Sequence, residues 1–136
     1  MLMDTVTFLN SAGEVKKVDN SKFVGGAIYD IAGSTISKPT DAGVLMRFSV
    51  NRAFTLPASL TGSFAESTVA PTGTPSYSIK KNNVSIGSID FTGNVAAFTF
   101  AAQQSFVSGD ILTVEAPGTA DATHDGISWT FSATLV

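Results

Sequence analysis

Between residues 77 and 117 apolar and polar positions alternate in four successive runs, each separated from the next by a short polar turn. Tyr77 and Ile79 alternate with Ser78 and Lys80, Asn82 and Asn83 interrupt, and Val84 and Ile86 resume the alternation. This is the pattern of a two-residue hairpin, and Asn-Asn suits a type I′ turn because asparagine tolerates positive φ. Past Ile86 the apolar residues move from even to odd numbers, at Ile89 and Phe91, with Gly87 at the slip. A β-bulge is expected there. Ala96, Phe98 and Phe100 form a third apolar face and Leu112, Val114 and Ala116 a fourth, entered through Ser108, Gly109 and Asp110. The four runs predict a sheet meander.

The same period recurs on either side. Residues 5–9 and 14–18 predict a hairpin, and Gly25 with Gly26 predicts a bend before a strand over 27–31. Val44, Met46, Phe48 and Val50 form one face of a half-buried strand, and Ile127, Trp129, Phe131, Ala133 and Leu135 alternate most strictly of all. Residues 57–76, with three prolines and two glycines, predict an irregular excursion in which Phe64 and Val69 are the candidate loop contacts. Met46, Phe48, Ile79, Phe98, Leu112, Trp129 and Phe131 are the expected core. No amphipathic helical pattern of useful length occurs. The fold expected is all-β, an antiparallel two-sheet sandwich or its jelly-roll variant.

Composition sharpens this picture. With 136 residues there is room for one core, and the 16 serines and 16 threonines suit strands whose outer faces are small and polar. Zero cysteines exclude a disulfide framework and thiolate metal sites. A net charge of −3 without a basic stripe argues against a nucleic-acid partner. Neither a secretory leader nor a run long enough to cross a membrane is expected. All eight basic residues precede Asn82, whereas five acidic residues and no basic one follow it. A basic end could therefore meet an acidic neighbour in an assembly.

Candidate chemistry is sparse. Asp121, His124 and Asp125 can be written as a metal site, but a coordination sphere needs three or four convergent ligands and only these are near, so a solvated turn is the expectation for His124. No Gly-x-Ser-x-Gly elbow accompanies the single histidine, and nothing brings Glu66 and Glu115 together for glycoside cleavage. Trp129 could stack a sugar, yet its strict alternation favours the core. No cofactor is implied, and the expectation is a protein that is not an enzyme.

The ordered set GVLMRFSVNRAFTLPASL, YSIKKNNVSIGSIDF and FTFAAQQSFVSGDILTVEAPGTADAT resembles a β-rich domain of structural proteins in tailed bacteriophages. Its most specific pieces are the lysine-asparagine hairpin leading to Gly87, and Gly109, Asp110, Ile111 and Leu112 running on to Pro117 and Asp121. The family usually carries glycine at the position of Asn83. The resemblance divides the chain into an N-terminal attachment segment, 1–42, and a sandwich domain, 43–136. It implies a virion component assembled in the host cytoplasm: a capsid-decorating or cement protein acting as a homo-oligomer, most plausibly a trimer, on a major capsid protein or another virion protein. The alternative it implies is a tail-fibre or tail-associated adhesin that binds a host glycan. Lys16, Lys17 and Lys22 are the candidate attachment residues.

Overall fold

The protein was analysed as a computed structural model that describes residues 5–9, 15–19 and 26–136. The alternating runs become strands β1 (Thr5–Leu9), β2 (Val15–Asp19), β3 (Ile28–Ser34), β4 (Val44–Ser49), β5 (Phe54–Leu56) and β6 (Phe64–Val69). They continue with β7 (Ser76–Lys81), β8 (Val84–Thr92), β9 (Val95–Thr99), β10 (Gln104–Phe106), β11 (Ile111–Glu115) and β12 (Asp125–Leu135). Every strand pairing is antiparallel, and the only helical element among the described residues is a 3-10 turn at Ala58–Leu60. The fold is all-β.

β1 and β2 pair with each other as a separate two-stranded sheet. The other ten strands share one sheet, in the order β10-β5-β12-β6-β9-β8-β7-β11-β4, with β3 also paired to β12. β12 is long enough to serve three partners: β3 runs along one side, and β6 then β5 along the other. The ladder is therefore continuous, where a sandwich would have two separately bonded sheets. It is thinnest between β6 and β9, which are joined by the single pair Glu66 and Val95. Phe48 on β4 and Phe54 on β5 come from distant places in that order, yet their ring centroids lie 6.5 Å apart. The sheet thus curls until its two regions face each other across one core.

The run from β7 to β11 departs from the expected meander. β7, β8 and β9 are hairpin-linked neighbours, but β11 returns to lie beside β7, giving the spatial order of a Greek key. The chain between β9 and β11 is pulled away because Phe100 and Phe106 are buried and β10 pairs with β5. The Asn82-Asn83 turn has φ of 49° and 67°, the signs a type I′ turn requires. The bulge falls at Gly87: Ile79 pairs with Gly87 and Lys80 with Ser85, leaving Ile86 over. A Cβ on Gly87 would lie 2.5 Å from the Phe100 ring and from the Thr99 carbonyl, so this glycine lets the chain after β9 close down on the bulge.

The core comprises Phe54, Leu56, Ile79, Ile89, Leu112, Trp129 and Phe131 with their neighbours, all buried. Trp129 lies against Gly33, where a side chain of any size would collide with the indole. Three expected core residues, Met46, Phe48 and Phe98, are only partly buried, and Val44 is 57% exposed. For β4 the reason is topology, since it ends the strand order and has a neighbour on one side only. The 57–76 excursion also differs from expectation, because it contains β6, whose Ala65 and Ser67 turn inward against β12. Its alternating residues are small, which hid the strand among the prolines. Finally, β3 lies within the 1–42 segment and is nonetheless integral to the main sheet, with seven residue pairs to β12 and Ile31 buried.

Candidate functional site

Two turns meet at the end of the sheet where β7 begins, one leading into it over 70–76 and the other running from β11 to β12 over 116–124. Asp121 ties them together. Its carboxylate accepts hydrogen bonds from the Gly73 N–H at 2.9 Å and the Thr72 hydroxyl at 3.0 Å on one turn. On the other it accepts from the Thr123 hydroxyl at 2.7 Å and from the N–H groups of Thr123 and His124 at 2.9 and 3.2 Å. The Thr123 hydroxyl, followed by the Gly73 and Thr123 N–H groups, holds this carboxyl far below the ordinary range. A carboxylate with its lone pairs so fully used is a structural clamp and has little left for a metal ion or a proton.

Behind the clamp the structure corrects the reading of His124, which is fully buried where a solvated turn was expected. Its ring packs edge-on to Phe91, with centroids 4.5 Å apart, and Nδ1 lies 2.6 Å from the Tyr77 hydroxyl. Sequence reasoning failed because His124 precedes the alternation of β12 and is flanked by acidic and small polar residues. The buried Tyr77 and Phe91 supply the apolar walls, and they come from β7 and β8, about 30 to 50 positions away. Among the described residues Nε2 has no hydrogen-bond partner. With Tyr77 donating to Nδ1, the imidazole proton sits on Nε2; the opposite tautomer would leave both the phenolic proton and Nε2 unmatched. Burial lowers the His124 pKa from its usual value despite the opposing pull of Asp121 and Asp125, and burial raises Tyr77 to about 12.

Outside the clamp lie two adjoining open clefts that share Ser76 and Pro117. One, of about 420 Å³, is bordered by Thr74, Thr119 and Asp121; the other, of about 310 Å³, by Lys80 and Glu115. Lys80 and Glu115 form an ion pair across β7 and β11. These clefts offer hydroxyl and backbone groups to a ligand. His124 and Tyr77 are buried and border neither cleft. Among the described residues no three metal-ligating side chains converge, and no helix is long and apolar enough to cross a membrane.

The candidate contact residues are elsewhere. Phe64 and Val69 stand at the two ends of β6, 53% and 46% exposed, and neither borders the clefts. Lys16 and Lys17 occupy β2 opposite Phe8 and Thr7, and Lys22 lies outside the described residues. No described protein family, curated protein or solved structure matches this chain.

Proposed function

We propose that the protein is a non-enzymatic structural component of a tailed-phage virion, a decorating or cement protein that stabilises the head as a homo-oligomer, with a trimer as the expected form. The observation that carries this reading is the way the resembling segments meet in space. Their two most specific pieces are bonded to each other: the Asn82 N–H donates to the Ile111 carbonyl at 2.9 Å, and the Asn82 side-chain amide donates to Asp110 at 2.9 Å. The Ile111 N–H returns a bond to the Asn82 amide oxygen at 2.8 Å. This tie organises β7, β8 and β11, and it supports the reading because it is the kind of feature that a shared fold preserves.

A tail-associated adhesin is the second reading, favoured by the hydroxyl-bordered cleft at Thr74, Ser76 and Thr119. Protein analysis and antibody-gold labelling of purified particles test both. Head labelling at a copy number matching a capsid lattice is the expected result. Tail labelling together with glycan binding would move the reading to the adhesin, and absence from washed particles would overturn both.

A further inference from the structure

We propose that the outer edge of β3 is a docking edge for the β1-β2 hairpin of a second copy of this chain. The observations start with the edge itself. Among the described residues, the backbone groups of β3 find partners only in β12, so one side of a seven-residue strand has no strand beside it. Exposed edges are ordinarily blunted by shortness, by lysine or proline, or by a bulge. The other two outer strands show such devices: β10 has three residues, and β4 carries an exposed Arg47 and pairs with β11 through a register shift. β3, with the sequence IYDIAGS, has no proline, no basic residue and no register shift against β12. Ile28 within it is 75% exposed, and Ile36, two residues beyond it, is wholly exposed. This edge is built as an open template.

The hairpin supplies the complementary need. Among the described residues β1 and β2 pair only with each other, and a lone two-stranded hairpin is marginally stable in water. Strand addition would give it a host sheet. Its composition fits β3 in an antiparallel register. Placing Lys16 opposite the exposed Asp30 sets Val15 opposite Ile31 and Val18 opposite Ile28, so the opposite charges and both apolar pairs fall into line together. A shift by one residue, with Lys17 opposite Asp30, sets Val15 opposite Ala32 and Val18 opposite Tyr29 but places the charged Lys16 opposite the buried Ile31. Docking β2 of one copy on β3 of the next is a head-to-tail contact, which closes into a ring when the rotation permits.

The inference gives a geometry to the homo-oligomer of the proposed function and to that extent rests on it. Its test is made on the full chain in solution, without particles. Light scattering and native mass spectrometry of the parent are expected to show a closed oligomer. Asp30→Lys, at an exposed position, is expected to give monomers with an unchanged thermal midpoint. The Lys16→Asp, Lys17→Asp pair is expected to do the same, and combining all three changes to restore the oligomer. Because the chain has no cysteine, Lys16→Cys chains mixed with Asp30→Cys chains are expected to form disulfide-linked pairs containing one of each. A parent that is monomeric at all concentrations, an oligomer indifferent to Asp30→Lys, or mixed chains that fail to cross-link would each overturn the docking edge. An oligomer that behaves as described but never enters particles would sink the virion reading alone.

Discussion

β7 begins and ends at an aspartate that gathers donors from two turns, and the two ends solve the same problem in different media. At the Lys81 end, Asp110 accepts from the Asn82 amide at 2.9 Å and the Val107 N–H at 2.9 Å, with the Lys81 ammonium 3.7 Å away. Those partners hold its carboxyl below the usual range, the Asn82 amide contributing most. At the Ser76 end, Asp121 binds a comparable set of donors, but the turn it closes carries the buried His124 into the core. Water can replace the exposed bonds at the first end. At the second, loss of His124 would open a space between Tyr77 and Phe91. The difference teaches that a polar clamp contributes most to stability where it positions a buried group.

The largest effect that would break this comparison is at His124. Truncation of a buried ring of this size costs about 3 kcal/mol, so His124→Ala is expected to lower stability in chemical denaturation by that order. His124→Phe keeps the volume, removes the unpartnered Nε2 and is expected to recover much of the loss. If His124→Ala unfolds at the parent's midpoint, the ring is not part of the core.

The next effect is the pH dependence, and its sign follows from the direction of each shift. The His124 pKa is depressed in the folded protein, so below about 6.5 the unfolded chain binds a proton that the folded one refuses. The stability it contributes is present above that pH and is lost as pH falls, by at most about 1.4 kcal/mol per pH unit for one proton. Asp110 and Asp121 are also depressed, but their contributions are lost only in the acid range below about 4. Denaturation curves between pH 6.5 and 4.5 are therefore expected to weaken in the parent and stay flat in His124→Phe. An identical slope in both would remove His124 as the cause. At the alkaline extreme Tyr77 is raised to about 12, so its contribution is lost as pH rises from about 10 towards that value.

The two ends also differ in how far they could be read from sequence. Asn-Asn between alternating runs identified the type I′ turn, the change of parity located the bulge at Gly87, and Ile127, Trp129 and Phe131 marked the long core strand. Each of these is a local period, and local periods survive in the sequence. What escaped was either too short or too small-sided to show a period, or non-local. β6 was hidden because its inward residues, Ala65 and Ser67, are small, and β5 and β10 because three-residue strands have no period. The return of β11 to the side of β7 depends on where Phe100 and Phe106 are buried. His124 was missed for the same reason, since its partners come from distant strands and its neighbours in sequence are polar.

The smallest effects lie in the Asn82-Asn83 turn, and they separate turn geometry from the tie to β11. Both residues have positive φ, which glycine adopts without steric cost. Asn83 has no side-chain hydrogen bond among the described residues, so Asn83→Gly exchanges a little backbone strain for a little chain entropy and is expected to change stability by less than about 0.5 kcal/mol. Asn82→Gly makes the same backbone exchange but also removes the bonds from its side chain to Asp110 and to the Ile111 N–H. For exposed bonds of this kind a loss of about 1 kcal/mol is expected. Equal midpoints for the two variants would mean that the turn's conformation alone joins β7 to β8. A lower midpoint for Asn82→Gly, with Asn83→Gly near the parent, would assign the difference to the bonds that hold the turn against β11.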